Sequence, residues 1–172
     1  AIVRLGGVGE RTTKFSGPAI LYHSREEAIE GLARGEIKPG MVVVMNGLGL
    51  RGSPGMALTS ALIFGLDGAN LLDKVAVVTD GQMSGLVNRG LVVGEVSPEA
   101  AYGGPFGLVE KGDIISIDVD QRRIDLVVAE EILATRRAEP DRVPRVSERG
   151  FLSLYEQNVQ SLPRGAVMLK KI

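Results

Sequence analysis

The sequence predicts an α/β domain on one mixed sheet, part parallel and part antiparallel, barrel-like and with few helices. Three observations carry that expectation. Two short apolar runs, residues 41–45 and 75–79, have the composition of strands covered on both faces. A segment of helical character lies between them, giving the strand–helix–strand order of a parallel unit. From residue 106 the texture changes to short strands divided by turn residues, which is the pattern of an antiparallel meander.

Taken in order, residues 1–5 read as a short strand, followed by a glycine-bearing loop through Gly17. Residues 18–22 are apolar and extended. Ser24-Arg25-Glu26-Glu27 is a capping box that starts a helix, with Ala28, Ile29 and Leu32 as its apolar stripe and Gly35 at its end. Lys38-Pro39-Gly40 is a turn into the run 41–45. A glycine-rich stretch, 46–55, precedes a helix over 56–66, and the run 75–79 follows. Residues 80–85 then form a loop at that strand's carboxyl end, and 91–96 make a third buried strand. Ser97 and Pro98 predict a short helix, Ser97 as N-cap and Pro98 in the first helical position. Gly103-Gly104-Pro105 ends it. Residues 106–109, 114–119 and 124–128 read as strands, parted by Lys111-Gly112-Asp113 and by turn residues 120–123. A short helix over 130–137, a charged connector over 139–147 and an amphipathic helix over 150–162 complete the chain.

Composition narrows the function classes. The 172 residues include 44% hydrophobic side chains, enough to bury a core. Twenty basic and 21 acidic residues leave a net charge of −1, which argues against a nucleic-acid or anionic-membrane surface. No apolar run approaches the roughly 18 residues of a membrane span, and the first residues lack a signal-peptide plan. With no cysteine and one histidine, the chain cannot itself hold a thiolate zinc site, an iron–sulfur cluster or a multi-histidine metal site. Its chemistry has to come from oxygen ligands, hydroxyls and backbone groups. Its 23 glycines are about twice the ordinary usage of roughly 7%.

Two loops are candidates for that chemistry. Gly47-Leu48-Gly49-Leu50-Arg51-Gly52 is a literal G-x-G-x-x-G directly after a strand. A dinucleotide site would need a helix to start within it, and Pro54 and Gly55 disrupt that start. Asp80, as the acidic partner, lies 33 positions after Gly47, against about 20 in the motif. A flexible glycine loop, or the backbone wall of an active site, fits these residues better. Asp80-Gly81-Gln82-Met83-Ser84-Gly85 places a serine between glycines where open α/β sheets bind ligands. Its residues read equally as a plain turn, and a Ser-His-Asp hydrolase is disfavoured because His23 is the only histidine and the loop is not a G-x-S-x-G elbow. His23 reads as a surface or capping residue, Glu99 as a first-turn acid held by the helix dipole, and Glu95 as solvent-facing or paired. No pair of carboxylates stands at metal-ligand spacing.

Read together, several segments resemble a known family. Gly17-Pro18-Ala19, Glu26-Glu27-Ala28, Thr79-Asp80-Gly81-Gln82-Met83-Ser84-Gly85, Val96-Ser97-Pro98-Glu99-Ala100-Ala101, Gly103-Gly104-Pro105 and Gly112-Asp113-Ile114-Ile115 occur in the order found in the C-terminal domain of dihydroxy-acid and phosphogluconate dehydratases. The resemblance implies a swivelling β/β/α domain over residues 1–138, with 139–172 as a connector and packing helix. It implies a hydro-lyase that converts a 2,3-dihydroxy acid or sugar acid into a 2-keto acid, as in branched-chain amino acid biosynthesis. It further implies an iron–sulfur cluster and Mg2+ held outside this chain, by an N-terminal domain of the same polypeptide. By position Ser84 matches the family's general base, with Gly81, Gln82, Gly85 and Ser53 around the substrate. A cytoplasmic homo-oligomer, inactive as an isolated domain, is the corresponding expectation, with this chain one piece of the whole. Where the family carries a magnesium-binding glutamate, two residues past Gly-Pro-Gly-Met, this chain has Leu58. That departure leaves open a second reading, a non-catalytic relative that binds a small acid or serves in assembly.

Overall fold

The computed structural model describes residues 1–6, 12–53, 55, 57–139 and 150–168. Among the described residues seven strands form: β1 Ile2–Gly6, β2 Lys14–Tyr22, β3 Val42–Met45, β4 Ala76–Thr79, β5 Gly90–Gly94, β6 Ile114–Asp118 and β7 Arg123–Val127. They make one sheet in the order β1-β5-β4-β3-β2-β6-β7. The four strands from β2 to β5 run parallel, while β1, β6 and β7 pair antiparallel at the two ends. The mixed sheet is therefore as the sequence predicts.

β2 joins the two regimes. Its first half, from Lys14 to Pro18, pairs with β6, and its second half, from Ala19 to Tyr22, pairs with β3. Every residue of β3 and β4 is buried, the pattern of strands covered on both faces, and the hydroxyl of Thr79 at the end of β4 accepts the Gly81 N–H. On one face, α1 (Arg25–Ala33) and α2 (Thr59–Gly68) pack together over Ile20, Tyr22, Val43, Met45, Val77 and Val92. On the other face a single cluster collects side chains from all seven strands, from Leu5 in β1 to Leu126 in β7. The sheet curls around this cluster, to which Phe106 and Val109 also belong. The result is a half-barrel.

The helix signals act as expected at α1. Ser24 accepts the Glu27 N–H at 3.1 Å, and the Glu27 carboxylate reaches back to the His23 N–H at 2.7 Å. At its end Gly35 takes φ +70°, and the N–H groups of Gly35 and Glu36 bond Leu32 and Gly31 in a Schellman pair. The expected stripe is shifted. Ile29 is exposed, whereas Gly31 is buried beneath the Tyr22 ring.

Other boundaries differ for local reasons. α2 begins at Thr59 rather than 56, because Leu58 sits at φ +49°, outside the helical region. The expected helix opened by Ser97 and Pro98 does not form; the bond between them is cis, and a single 3₁₀ turn, Ala100–Tyr102, follows Glu99. Residues 106–109 are not a strand, because Pro105–Leu108 forms another 3₁₀ turn that buries Phe106. The last helix is shorter than expected: α4 covers Phe151–Asn158, before a 3₁₀ turn at Leu162–Arg164. α3 (Glu130–Ala138) is anchored by Arg136, which bonds the Leu108 carbonyl, both Asp113 oxygens and Glu110. Most of the connector expected over 139–147 lies outside the described residues, as does part of the loop before β2.

Candidate active site

The carboxyl ends of the parallel strands bring His23, Asn46, Asp80 and Glu95 to one edge, and the two glycine loops leave β3 and β4 there. Asp80 sits at the centre. It is 4% exposed, and its carboxyl accepts N–H groups from Gly47 (3.1 Å), Leu48 (2.9 Å) and Ala100 (3.0 Å). Burial pushes this carboxyl above the usual range, against the downward pull of those three donors.

Glu99 completes the arrangement from the segment after β5. Its side chain is buried and accepts the Arg51 N–H at 2.6 Å. A Cβ on Gly49 would stand 2.0 Å from Glu99 Oε2, so only glycine admits the carboxyl there. Burial raises Glu99 as well, with the Asp80 charge adding to it, while the N–H groups of Arg51, Leu50 and Gly52 hold it down. The G-x-G-x-x-G stretch is thus a nest of backbone donors whose anions are the chain's own Asp80 and Glu99. The nucleotide reading loses its donors. Asp80 faces the loop itself, not a ribose.

The second loop lies against the first. The Gln82 N–H bonds the Gly55 carbonyl at 2.7 Å, and Gly81 passes so close that a Cβ would meet Ala57 at 2.4 Å. The backbone of Gly81 is fully engaged, its N–H on Thr79 Oγ1 and its carbonyl on the Glu95 N–H. Ser84 is half-buried, and its Oγ accepts the Leu86 N–H at 3.3 Å. Gln82 and Ser53 are partly exposed, and Gly85 is open to solvent. Leu58 is 44% exposed at the start of α2.

A cavity of about 620 Å3 adjoins Asp80 and Glu99, bounded by Ser97, Tyr102 and residues 159–164. The C-terminal segment is tied there by Tyr102, whose hydroxyl donates to the Val159 carbonyl at 2.7 Å. Arg51 also contributes, stacking on the Tyr102 ring and donating to the Glu156 carbonyl. The buried polar atoms His23 Nδ1, Asn46 Oδ1 and Thr59 Oγ1 have no partner among the described residues. No group of three or more histidine, aspartate or glutamate residues able to hold a metal ion occurs among the described residues. The oxygens of Asp80 and Glu99 already face N–H donors, and Leu58 offers no ligand, so this edge does not fit Mg2+.

The two carboxyls that organise the site were not legible as such. The sequence suggests Asp80 as a ribose partner or a member of the serine loop and Glu99 as a helix-dipole residue, and the structure makes both of them acceptors for the glycine loop instead. The available signal was a glutamate set between buried alanines and a strand, in a chain whose glycine loop lacked a phosphate-compatible helix.

Comparison with known proteins bears on the same residues. The family described as dihydroxy-acid/6-phosphogluconate dehydratase C-terminal matches residues 1–166. The dihydroxy-acid dehydratase of Methanothrix thermoacetophila is 44% identical over 171 residues, covering 98% of this chain and 30% of that protein. Those of Methanococcoides burtonii and Aquifex aeolicus are 41% and 42% identical over 97% and 98% of this chain. The chain spans about 30% of the length of each.

Proposed function

The chain belongs to the dihydroxy-acid/6-phosphogluconate dehydratase C-terminal family, and from that membership we propose that it supplies the serine base of a longer, cytoplasmic hydro-lyase. Residues 1–138 would form the catalytic module and 139–172 its connector and packing helix. The substrate is a small 2,3-dihydroxy acid or sugar acid. Ser84 Oγ, as the alkoxide, takes the proton from C2. The C2–H electron pair becomes the C2–C3 double bond, C3–OH leaves as hydroxide, and the enol tautomerises to the 2-keto acid with net loss of one water. The iron–sulfur cluster and Mg2+ that the family implies would activate the substrate from the rest of the polypeptide, a homo-oligomer in which this domain faces its N-terminal partner.

The observation that carries this reading is the placement of Ser84. It leaves the carboxyl end of a central parallel strand, half-exposed, with the Leu86 N–H on its oxygen. A backbone donor at that oxygen stabilises an alkoxide, which a serine base needs. Gln82, Ser53 and the open backbone of Gly85 border the same edge and would meet the substrate, while Gly81 permits the close approach of the two loops. The test is Ser84→Ala in the complete polypeptide. Keto-acid formation should fall by about 10²–10⁴-fold, the range of a lost general base, with an unchanged urea midpoint. Retention of most turnover refutes it.

Exposed Leu58, in place of a carboxylate, favours a second reading, a non-catalytic module that binds a small acid. A complete protein that binds 2,3-dihydroxy acids by calorimetry and forms no keto acid would establish it.

A further inference from the structure

Glu99 has no part in the chemistry just described, yet it is buried at the centre of a closed circuit of hydrogen bonds. Gln82 N–H bonds Gly55 O at 2.7 Å, fixing the serine loop to the far end of the glycine loop. Arg51 N–H bonds Glu99 at 2.6 Å, fixing the middle of the glycine loop to the segment after β5. Ala100 N–H bonds Asp80 at 3.0 Å, and Glu95 N–H bonds Gly81 O at 3.1 Å, returning that segment to the base of the serine loop. Within this circuit the two carboxyls divide the work. Asp80 holds the first residues of the glycine loop, Gly47 and Leu48. Glu99 holds the stretch that leads into Gly55 and, through it, Gln82, two residues before Ser84.

We propose that Glu99 is a positioning residue for Ser84, acting through the glycine loop and the Gly55–Gln82 bond. The inference rests on the assignment of Ser84 as the base. Its geometric content does not. Gly49 lacks a Cβ in order to admit this carboxyl, and a loop so fastened presents Gln82 and Ser84 in one place. Release of Glu99 frees the Arg51 N–H first and loosens the Gly55–Gln82 bond next. A shift of about 1 Å at a catalytic group costs on the order of 10²-fold in rate.

The experiment compares Glu99→Gln and Glu99→Ala with wild type in the complete polypeptide, by amide hydrogen exchange and steady-state kinetics. Exchange at Arg51 and at Gln82 should rise together, about ten-fold or more in Glu99→Ala. kcat should fall on the order of 10–10²-fold with KM within about three-fold, the split expected of a lost transition-state alignment. Glu99→Gln keeps one carbonyl acceptor and should lie between wild type and Glu99→Ala. Faster exchange at Arg51 with Gln82 still protected overturns the proposal, and so does joint loosening with unchanged kcat. Should the variants fail to fold, wild-type exchange against urea decides. Opening of Arg51 and Gln82 as one unit supports the circuit, and separate openings overturn it. Wild-type turnover in Ser84→Ala refutes the base assignment, and with it the purpose given to Glu99, without altering the exchange result.

Discussion

Replacing Asp80 by alanine tests whether the two loops are held by this carboxyl or merely lie beside it. Three buried N–H groups, of Gly47, Leu48 and Ala100, would lose their acceptor. Each buried donor left unpaired costs about 1–3 kcal/mol, so the gross loss is roughly 3–9 kcal/mol. Opposing it, the carboxyl itself is desolvated at 4% exposure, which is why its pKa is raised, and its removal relieves that cost. The net expectation is near the low end, about 3–4 kcal/mol. Asp80→Asn keeps one oxygen able to accept two of the donors while its NH2 faces the third, and should cost about 1–2 kcal/mol. Equilibrium urea unfolding, followed by circular dichroism at neutral pH, measures both. An alanine variant within about 1 kcal/mol of wild type, or an asparagine variant less stable than alanine, would refute the reasoning.

Arg136→Met should destabilise by about 2–3 kcal/mol, since it leaves the Asp113 carboxylate without its bidentate partner and the Leu108 carbonyl without its donor. Urea unfolding reads it, and a midpoint equal to wild type would show that α3 does not depend on this anchor. Gly49→Ala should open the glycine loop, because the new Cβ would overlap Glu99; faster amide exchange at Arg51 is expected, and unchanged protection would mean that Glu99 has another place to go. The pH dependence has a defined sign. Burial raises Asp80 and Glu99, so the native state retains protons that the unfolded chain releases near pH 4. Stability from these two groups therefore falls as pH rises through the raised values. Urea midpoints between pH 4 and 7 should fall more steeply with pH in wild type than in the Asp80→Asn, Glu99→Gln double variant, and the opposite difference would contradict it.

Much of the sheet was legible because runs such as 41–45 and 75–79 are short and rich in valine, which favours a strand buried on both faces over a buried helix. The helix start at Ser24 and its stop at Gly35 were legible for the same reason, since their hydrogen bonds are local. Misreadings gathered where non-local contacts decide. Phe106 is apolar and strand-like, yet it lies in a 3₁₀ turn because the concave face of the sheet takes its ring. β2 starts at Lys14, four residues before the apolar run at 18–22, because Lys14 to Pro18 are held by β6, a partner about a hundred residues away. Ser97 and Pro98 carry every sign of a helix start, but the segment turns instead to bring Glu99 inward.

The glycine loop shows why a donor-rich motif and a ligand site are different things. Consecutive N–H groups in tight turns generate a positive concavity wherever they occur, and the field does not distinguish a phosphate from a carboxyl. What distinguishes them is whether the fold brings its own anion. A phosphate site leaves the concavity facing solvent at a helix start. Here no helix starts within the loop, and two acids reach it from the segments that follow β4 and β5, at separations of 33 and 48 residues from their partners Gly47 and Arg51. Both acids are largely removed from water, so the loop is anchored at two points in the interior rather than poised to admit a ligand. The glycines are then explained by internal fit: Gly49 makes room for Glu99, and Gly81 makes room for Ala57 and the Leu48 carbonyl. A loop fixed from within is a rigid wall beside Ser84, and rigidity at that wall is what the proposed positioning role of Glu99 requires.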